Sequence, residues 1–231
     1  MNSIDNIFCI NLPESKDRRT AITQEFQKHD MTNKVVWISA TRPDDLSAYE
    51  KNNYDRKSGP RCYCLNKCGH RYRKLRLVEV AIAISHRQVY QKIVDQDLDL
   101  VMVVEDDIVF HSEFNQILDR LLNKSIIANL LSEQPWIVFL GGRSNNPGLI
   151  KNNQKIVVDQ IGSYSNYAYI LNHAGAQLLL DNFFPIMRPE DGYKRYLIGA
   201  GQLNCYQVSP SLIGELSAGV NQPAKFTRLS R

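Results

Sequence analysis

The feature that most constrains this chain is the uninterrupted apolar run Leu100-Val101-Met102-Val103-Val104, inside a predicted strand from Leu98 to Val104. A strand that is apolar at every position, rather than at every second one, is typical of a strand buried on both faces of a largely parallel sheet. Helices cover both faces of such sheets, so the run predicts an α/β architecture. It ends abruptly in three acids, Glu105-Asp106-Asp107.

Other segments alternate between strand-like and helix-like patterns. Short apolar runs predict strands at Ile4 to Leu12, Val35 to Ile38, Trp136 to Leu140, Lys155 to Ile161 and Tyr167 to Leu171. Helical periodicity and capping residues predict helices at Glu14 to His29, Leu75 to Asp95, Ser112 to about Leu131 and His173 to about Phe183, with Ser112 and Asn172 as N-caps. The alternation predicts an open α/β sheet.

Length and composition predict one ordinary domain. The chain has 231 residues, of which 43% are hydrophobic and 23% charged, which is close to globular usage and disfavours a disordered or fibrous chain. We expect a single domain over residues 1–231 with an insertion at about 56–74. The chain has no apolar run of about 18 residues, and Met1 to Asp5 lacks the features of a signal peptide. A full-length chain of this kind is expected to be soluble and cytoplasmic, with at most peripheral membrane contact.

The expected insertion combines positive charge with cysteine. The net charge of +4 is concentrated between Arg56 and Arg76, where it could meet phosphates, nucleic acid or an anionic membrane, or form a solvated loop. The same stretch offers four soft or borderline ligands, as many as a closed structural zinc site needs. They are Cys62, Cys64, Cys68 and His70. Their spacing is unusual for zinc, so a disulfide or free thiols remain alternatives.

The acidic triplet is the strongest chemical signal. Three adjacent carboxylates at the end of a buried strand repel one another unless a cation neutralises them. Strand alternation would place Glu105 and Asp107 on one side and Asp106 on the other, at the carboxyl edge where open α/β sheets bind ligands. Oxygen-only ligation suits Mg²⁺ or Mn²⁺ together with substrate phosphates. The alternative is an exposed loop or pairing with basic residues.

On the helix predicted from Leu75, Glu79 and His86 share one face about 10 Å apart along the axis. They could bracket one substrate without touching each other. A lone helical histidine is more often structural, so its chemical role depends on context.

Four motifs in order resemble one family. They are Ile10-Asn11-Leu12-Pro13 with Asp17-Arg18-Arg19, Glu79 with Ala83-Ile84-Ser85-His86, Val104-Glu105-Asp106-Asp107-Ile108, and Ala168-Tyr169-Ile170-Leu171 with Gly175-Ala176. In this order they resemble glycosyltransferase family 25, which includes lipooligosaccharide and collagen hydroxylysine galactosyltransferases. The resemblance covers the chain from Ile7 to about Leu180.

The resemblance implies a GT-A-like fold, a uridine diphosphate (UDP) sugar donor, a divalent cation (Mn²⁺ or Mg²⁺) and inversion at the anomeric carbon. The acceptor would be a glycan, a lipid-linked sugar or a hydroxylysine-type group, and no nucleic acid partner is expected. The transferred hexose would be galactose rather than glucose. Asp107 would be the direct metal ligand, with Glu105 and Asp106 holding the ribose or a metal-bound water. Residues expected to face the nucleotide-sugar are Asn11, Arg18, Arg19, Glu79, Ser85, His86, Glu105 and Asp106, with metal on Asp107 and Glu105.

An inverting transfer also needs a base near the acceptor hydroxyl. Pro189-Glu190-Asp191 resembles the family's late proline-acid segment, which makes Asp191 the first candidate base and Glu190 the second. Two departures from the family pattern affect the metal and acceptor ends. No histidine follows His173, and Glu215 stands where the closing motif would have glutamine. The cysteine-rich stretch has no counterpart in the bacterial members.

Two other functions fit part of the pattern. A metal-dependent phosphoryl or pyrophosphate hydrolase also uses strand-end carboxylates, but usually needs further acids or histidines. A catalytically inactive relative could serve as a binding module. The intact acidic triplet argues against the inactive relative, and the sequence offers few of the further acids or histidines that a hydrolase would need.

Overall fold

The computed structural model describes residues 4–54, 75–123, 134–141, 156–157, 167–208 and 211–215. Nine strands lie in these ranges: β1 (Asn6–Asn11), β2 (Val35–Ser39), β3 (Leu100–Glu105), β4 (Ile108–Phe110), β5 (Trp136–Phe139), β6 (Ile156–Val157), β7 (Ala168–Asn172), β8 (Asn204–Val208) and β9 (Ile213–Glu215). The α-helices are α1 (Lys16–Lys28), α2 (Ala48–Asn52), α3 (Leu77–Asp95), α4 (Phe114–Asn123), α5 (His173–Asp181) and α6 (Glu190–Gly199), with one 3-10 turn at Thr32–Lys34.

Seven strands form one sheet in the order β2-β1-β3-β7-β5-β8-β6. Five of them run in one direction, while β7 and β6 run against their neighbours. The remaining pair, β4 and β9, is antiparallel and carries the chain away from the end of β3. This mostly parallel sheet confirms the predicted fold class, a GT-A-like open and mostly parallel sheet flanked by helices.

Strand β3 is buried on both faces, as its composition predicts. Met102 and Val104 belong to the core beneath α1 and α4, where they meet Phe26 and Phe114. Val101 and Val103 face the opposite core, which is covered by α3, α5 and α6. Every residue from Leu100 to Val104 is at most 2% exposed. The sheet is therefore the central layer between two layers of helices.

Local signals explain the start of α5. Asn172 caps it as predicted, since its Oδ1 accepts a hydrogen bond from Gly175 N at 3.0 Å. The same oxygen accepts from Trp136 N at 3.0 Å, so the cap also ties α5 to β5. The expected N-cap at Ser112 is wrong by one residue, because α4 begins at Phe114 after a turn and not at Glu113.

Several expectations need correction or fall outside the described ranges. The part of the expected helix beyond residue 123, to about Leu131, lies outside the described ranges. Most of the strand expected at Lys155 to Ile161 also lies outside these ranges, although Ile156–Val157 is a strand. Helix α6 has no counterpart among the helices that the sequence pattern predicts. No described helix has the length and apolarity needed to cross a membrane.

Candidate functional site

The acidic triplet lies at the carboxyl edge of two parallel neighbours, β1 and β3. Their register pairs Ile10 with Glu105, so the last residue of β1, Asn11, lies beside Asp106. Asn11 Nδ2 donates a hydrogen bond of 2.7 Å to Asp106 Oδ2. Because both residues are buried, this contact fixes the turn that follows Glu105. The ends of the two strands thus form one small polar platform.

Helix α1 adds a positive charge to this platform. Arg18 Nη1 lies 3.0 Å from Asp106 Oδ1 and 3.4 Å from Asp107 Oδ2. Partial burial acts to lower the pKa of Arg18, but the hydrogen bond to Asp106 and the charges of Asp107 and Glu105 raise it. The expectation that Asp106 and Asp107 lie on opposite sides is wrong. The strand ends at Glu105 and the next two residues turn, so one guanidinium contacts both carboxylates.

The three carboxylates differ in exposure, and this separates their roles. Their side chains are 39% exposed for Glu105, 10% for Asp106 and 21% for Asp107. Both oxygens of Asp106 have donors in Asn11 and Arg18. Glu105 and Asp107 are therefore the carboxylates with more surface open to a ligand, although Asp107 Oδ1 is buried and its Oδ2 faces Arg18. Asn11 Oδ1, a buried acceptor beside them, has no hydrogen-bond partner among the described residues.

The platform's oxygen donors suit a hard divalent cation that keeps waters and substrate oxygens as its remaining ligands. Glu105 and Asp107 could supply two such donors, and the Arg18 guanidinium shows that positive charge is stabilised there. Within the described ranges, no group of three or more His, Cys, Asp or Glu side chains is arranged to hold a metal by itself. A cation here would bind weakly on its own and more tightly with a ligand's oxygens.

Three further predicted residues lie on α3, and two of them have local roles. Glu79 caps the helix by accepting a hydrogen bond of 2.9 Å from Arg76 N. Ser85 Oγ accepts a hydrogen bond of 2.9 Å from Thr41 N and donates one of 2.8 Å to Ala81 O. It therefore fastens the loop after β2 to α3. The third residue, His86, faces the acidic edge.

His86 joins Glu105 to a buried polar cluster. Its Nε2 lies 3.6 Å from Glu105 Oε1, and its Nδ1 lies 2.9 Å from the Tyr169 hydroxyl. Beyond Tyr169 lie the Tyr90 hydroxyl at 3.4 Å and then Glu190, whose Oε1 accepts a hydrogen bond from Tyr90. We call the set His86, Tyr90, Tyr169, Glu190 and Lys194 the buried cluster; each member is at most 5% exposed.

Lys194 completes the buried cluster. Its Nζ lies 2.8 Å from Glu190 Oε1, one turn along α6, and 3.6 Å from the centre of the Tyr169 ring. Burial alone would raise the pKa of Glu190, but His86, Lys194 and the Tyr90 hydroxyl lower it overall. Burial lowers the pKa of Lys194, although Glu190, Glu105 and Asp191 oppose that change. Burial raises the pKa of both tyrosines.

The two candidate bases differ in environment. Glu190 is enclosed and already paired with Lys194, whereas Asp191 is partly exposed and its Oδ1 accepts a hydrogen bond of 2.7 Å from Gly192 N.

The remaining predicted residues lie away from the acidic edge or outside the described residues. The guanidinium of Arg19 lies 4.1 Å over the Trp37 ring rather than against the acids. The candidate zinc ligands Cys62, Cys64, Cys68 and His70 lie outside the described residues.

Sequence reasoning did not identify Lys194, Tyr90 and Tyr169 as site residues. Tyr90 lies on the same helical stripe as Glu79 and His86, and this was the available signal. The spacing of Glu190 and Lys194, four residues apart, permits a pair on one helix turn but does not show that the pair is buried.

Comparison with known proteins agrees with this geometry. The family model described as glycosyltransferase family 25 (LPS biosynthesis protein) matches residues 4–193, which include both the acidic edge and the buried cluster up to Glu190. The chain belongs to glycosyltransferase family 25. This membership supports a glycosyltransferase fold and family over a phosphoryl or pyrophosphate hydrolase.

Relatives within family 25 include both active and inactive proteins by description. Human procollagen galactosyltransferase 2 is 26% identical over 223 residues, which cover 90% of this chain and 34% of the relative. The human inactive glycosyltransferase 25 family member 3 is 30% identical over 221 residues, covering 83% and 33%. Its mouse counterpart is 28% identical, covering 83% and 34%. The chain spans about a third of the length of these family 25 relatives.

A more distant likeness exists among solved structures. A putative glucose-1-phosphate thymidylyltransferase from Bacillus anthracis, solved with sucrose, is 12% identical and has a TM-score of 0.42 over 92% of this chain and 89% of that one. A similarity this low supports no statement about the family 25 chain's activity.

Proposed function

We propose that this chain is a metal-dependent, inverting glycosyltransferase that moves a hexose, galactose rather than glucose, from a UDP-sugar to a glycan, lipid-linked or hydroxylysine-type acceptor. The observation that supports it most is the platform at the ends of β1 and β3. There Asn11 and Arg18 hold Asp106, while Glu105 and Asp107 on either side of it are the more exposed carboxylates. Open α/β sheets bind nucleotides at this edge.

Each platform residue has a distinct role in this proposal. Asp107 and Glu105 hold Mn²⁺ or Mg²⁺, which when bound supplies positive charge to the departing diphosphate. Asp106 orients Asn11 and Arg18 through its two hydrogen bonds. Arg18 lies beside the carboxylates and supplies a second positive charge facing the diphosphate. The buried acceptor Asn11 Oδ1, which has no hydrogen-bond partner among the described residues, is the atom of the platform that would accept from a donor group of the nucleotide.

Asp191 is the base in the proposed reaction. It takes the proton of the acceptor hydroxyl as that oxygen bonds to the anomeric carbon, and the bond from that carbon to the diphosphate breaks, releasing UDP. Glu190 is the weaker candidate, because Lys194 neutralises it in a site closed to an acceptor. An activity of this kind needs a base that solvent or substrate can reach, which favours Asp191.

The second candidate is an inactive binding module, which is supported by the relatives described as inactive. A direct assay separates the possibilities. The protein is incubated with Mn²⁺ and UDP-galactose or UDP-glucose, with oligosaccharide and hydroxylysine-peptide acceptors, and UDP release and product mass are measured. The transferase proposal expects a hexose-shifted product that is lost in Asp191→Asn and Asp107→Asn.

The exposed residue Asp119 on α4 offers a matched control, Asp119→Asn, that should keep full activity. Binding of UDP without product on any acceptor would favour the binding module. Release of uridine monophosphate and sugar phosphate from the donor would instead favour the pyrophosphate hydrolase.

A further inference from the structure

Lys194 has no part in the proposed reaction, yet it is a fully buried charge. It is 0% exposed and Glu190 is 5% exposed, with 2.8 Å between Nζ and Oε1. Removing two charges from water costs about as much as their attraction returns, so apolar residues of similar volume would stabilise α6 at least as well. Stability alone therefore does not account for this pair.

The pair's neighbours lead directly to the donor edge. Glu190 accepts from Tyr90, and the Tyr90 hydroxyl lies 3.4 Å from that of Tyr169. The Tyr169 ring contacts two charged or polar groups: Lys194 Nζ lies 3.6 Å from its centre, and the His86 ring lies with 6.0 Å between ring centres and 22° between ring planes. These contacts connect α6, α3 and β7 inside one buried cluster.

His86 has neighbours at both ring nitrogens, the buried cluster at Nδ1 and Glu105 at Nε2. Nδ1 lies 2.9 Å from the Tyr169 hydroxyl and 3.8 Å from Glu190 Oε1, while Nε2 lies 3.6 Å from Glu105 Oε1. Rotation of the ring would break the contacts on both sides. The orientation of His86, and with it the position of the partly exposed Glu105 carboxylate, thus depends on groups deeper in the protein.

We propose that Lys194 and Glu190 are positioning residues, which through Tyr90, Tyr169 and His86 hold the Glu105 carboxylate in place for the nucleotide-sugar donor. This inference rests on the proposed function. It assigns Glu190 a supporting role and leaves Asp191 as the base. Burial lowers the pKa of Lys194, while Glu190, Glu105 and Asp191 act to raise it.

Charge removal in pairs separates positioning from simple stability. Lys194→Met and Glu190→Gln each leave one unpaired buried charge and should lower the melting temperature strongly, whereas the double variant removes both charges and should recover most of it. A positioning role predicts that the double variant still binds UDP with Mn²⁺ about 10- to 100-fold more weakly than the wild type. It also predicts a raised KM for the donor.

The control Lys92→Met/Asp95→Asn removes one charge of each sign from the exposed end of α3 and should leave UDP affinity unchanged. A second readout needs no nucleotide. ¹⁵N NMR of the histidine rings should show one well-defined set of ring-nitrogen signals for His86 in the wild type. In the double variant these signals should be averaged, because the ring is no longer held in one orientation.

The outcomes distinguish this inference from the proposed function. A double variant with wild-type melting temperature, UDP affinity and His86 spectrum would overturn the positioning role alone. Glu190→Gln with lowered kcat and unchanged donor KM would also overturn it, because that result marks Glu190 as the base. A wild type that binds no UDP would overturn the proposed function, and the His86 spectra would then decide the structural part of the inference.

Discussion

Asn11 Nδ2 donates a 2.7 Å hydrogen bond to Asp106 Oδ2, joining two residues that are 95 positions apart in the chain. The bond connects the last residue of β1 to the first residue after β3, at the edge where parallel strands end together. Arg18 donates a hydrogen bond to the other oxygen, Oδ1, so both carboxylate oxygens of Asp106 accept a hydrogen bond. Glu105 and Asp107, on either side of it, are the more exposed carboxylates.

Replacing the amide in this contact should destabilise the fold in a pH-dependent way. Asn11→Asp would set a second carboxylate against Asp106 in a buried place, and we expect a loss of about 2 kcal/mol in the free energy of unfolding near neutral pH. The loss should shrink toward about pH 4, because one protonated carboxyl can again donate a hydrogen bond. Urea unfolding at both pH values measures it. The exposed control Asn33→Asp should change little at either pH, and an equal loss at both would contradict the explanation.

Arg18 should compete with a divalent cation for the carboxylates. In Arg18→Gln the side chains of Asp106 and Asp107 lose their guanidinium partner, so the affinity for Mn²⁺ without nucleotide should rise, by up to about fivefold for a half-exposed ion pair of about 1 kcal/mol or less. Affinity for UDP in the presence of Mn²⁺ should fall. Electron paramagnetic resonance of free Mn²⁺ follows the first effect. Arg19→Gln, whose parent side chain lies on Trp37, is the control, and an unchanged or weaker Mn²⁺ affinity in Arg18→Gln would refute the competition.

Glu190 should contribute to acid sensitivity. Its pKa in the folded protein lies below the ordinary value of 4.5, because His86, Lys194 and Tyr90 together outweigh the opposing effect of burial. A lowered folded pKa gives stability that is present above the unfolded value and lost as pH falls through the folded one. The free energy of unfolding should therefore fall more steeply below pH 4.5 in the wild type than in Glu190→Gln.

The same variant should be less stable than the wild type near neutral pH, by about 3–5 kcal/mol, since Lys194 loses its partner. Denaturant titrations from about pH 7 to about pH 3.5 measure both effects. Glu113→Gln on the surface should run parallel to the wild type. Parallel curves for Glu190→Gln would show that the buried carboxylate is not ionised.

Two helix glycines should respond in opposite directions to alanine. A Cβ on Gly175 would lie 2.7 Å from Leu171 Cδ1 and 2.9 Å from both Asn172 Oδ1 and the Trp136 carbonyl oxygen. We expect Gly175→Ala to cost about 1–3 kcal/mol through overpacking against the cap. A Cβ on Gly192 meets nothing closer than 3.6 Å, so Gly192→Ala should be neutral or gain up to about 1 kcal/mol. Thermal unfolding of the pair tests this, and equal effects would contradict it.

Much of the fold follows from local pattern. The apolar run of β3 predicted a sheet covered on both faces, and Asn172 identified the start of α5. Strand direction did not follow, because a strand buried on both faces has the same composition whether it runs parallel or antiparallel. The reversed β7 between β3 and β5 therefore needed the structure. The sequence of α6 shows no clear helical pattern, because it begins with polar residues and contains two glycines. The helix is stabilised by Leu197 and Ile198, which pack on the sheet.

The candidate site, like the fold, could be predicted from the sequence only in part. The acidic triplet was predicted at the sheet edge because it follows a buried strand, and the structure places it there. The turn after Glu105, which brings Asp106 and Asp107 to one guanidinium, breaks the alternation that sequence reasoning assumed. Lys194 could not be predicted as buried, since lysine is among the residues most often exposed. Its partners come together only through the packing of α3, α6 and β7.

The most direct measurement is a calorimetric titration of UDP into the protein, with and without Mn²⁺, for the wild type, Asp107→Ala and the exposed control Asp119→Ala. We expect binding by the wild type and the control that requires Mn²⁺, and a loss of at least about tenfold in Asp107→Ala, as for removal of a metal-holding carboxylate. Binding that is independent of Mn²⁺ and of Asp107, or no binding at all, would contradict a donor site at the ends of β1 and β3.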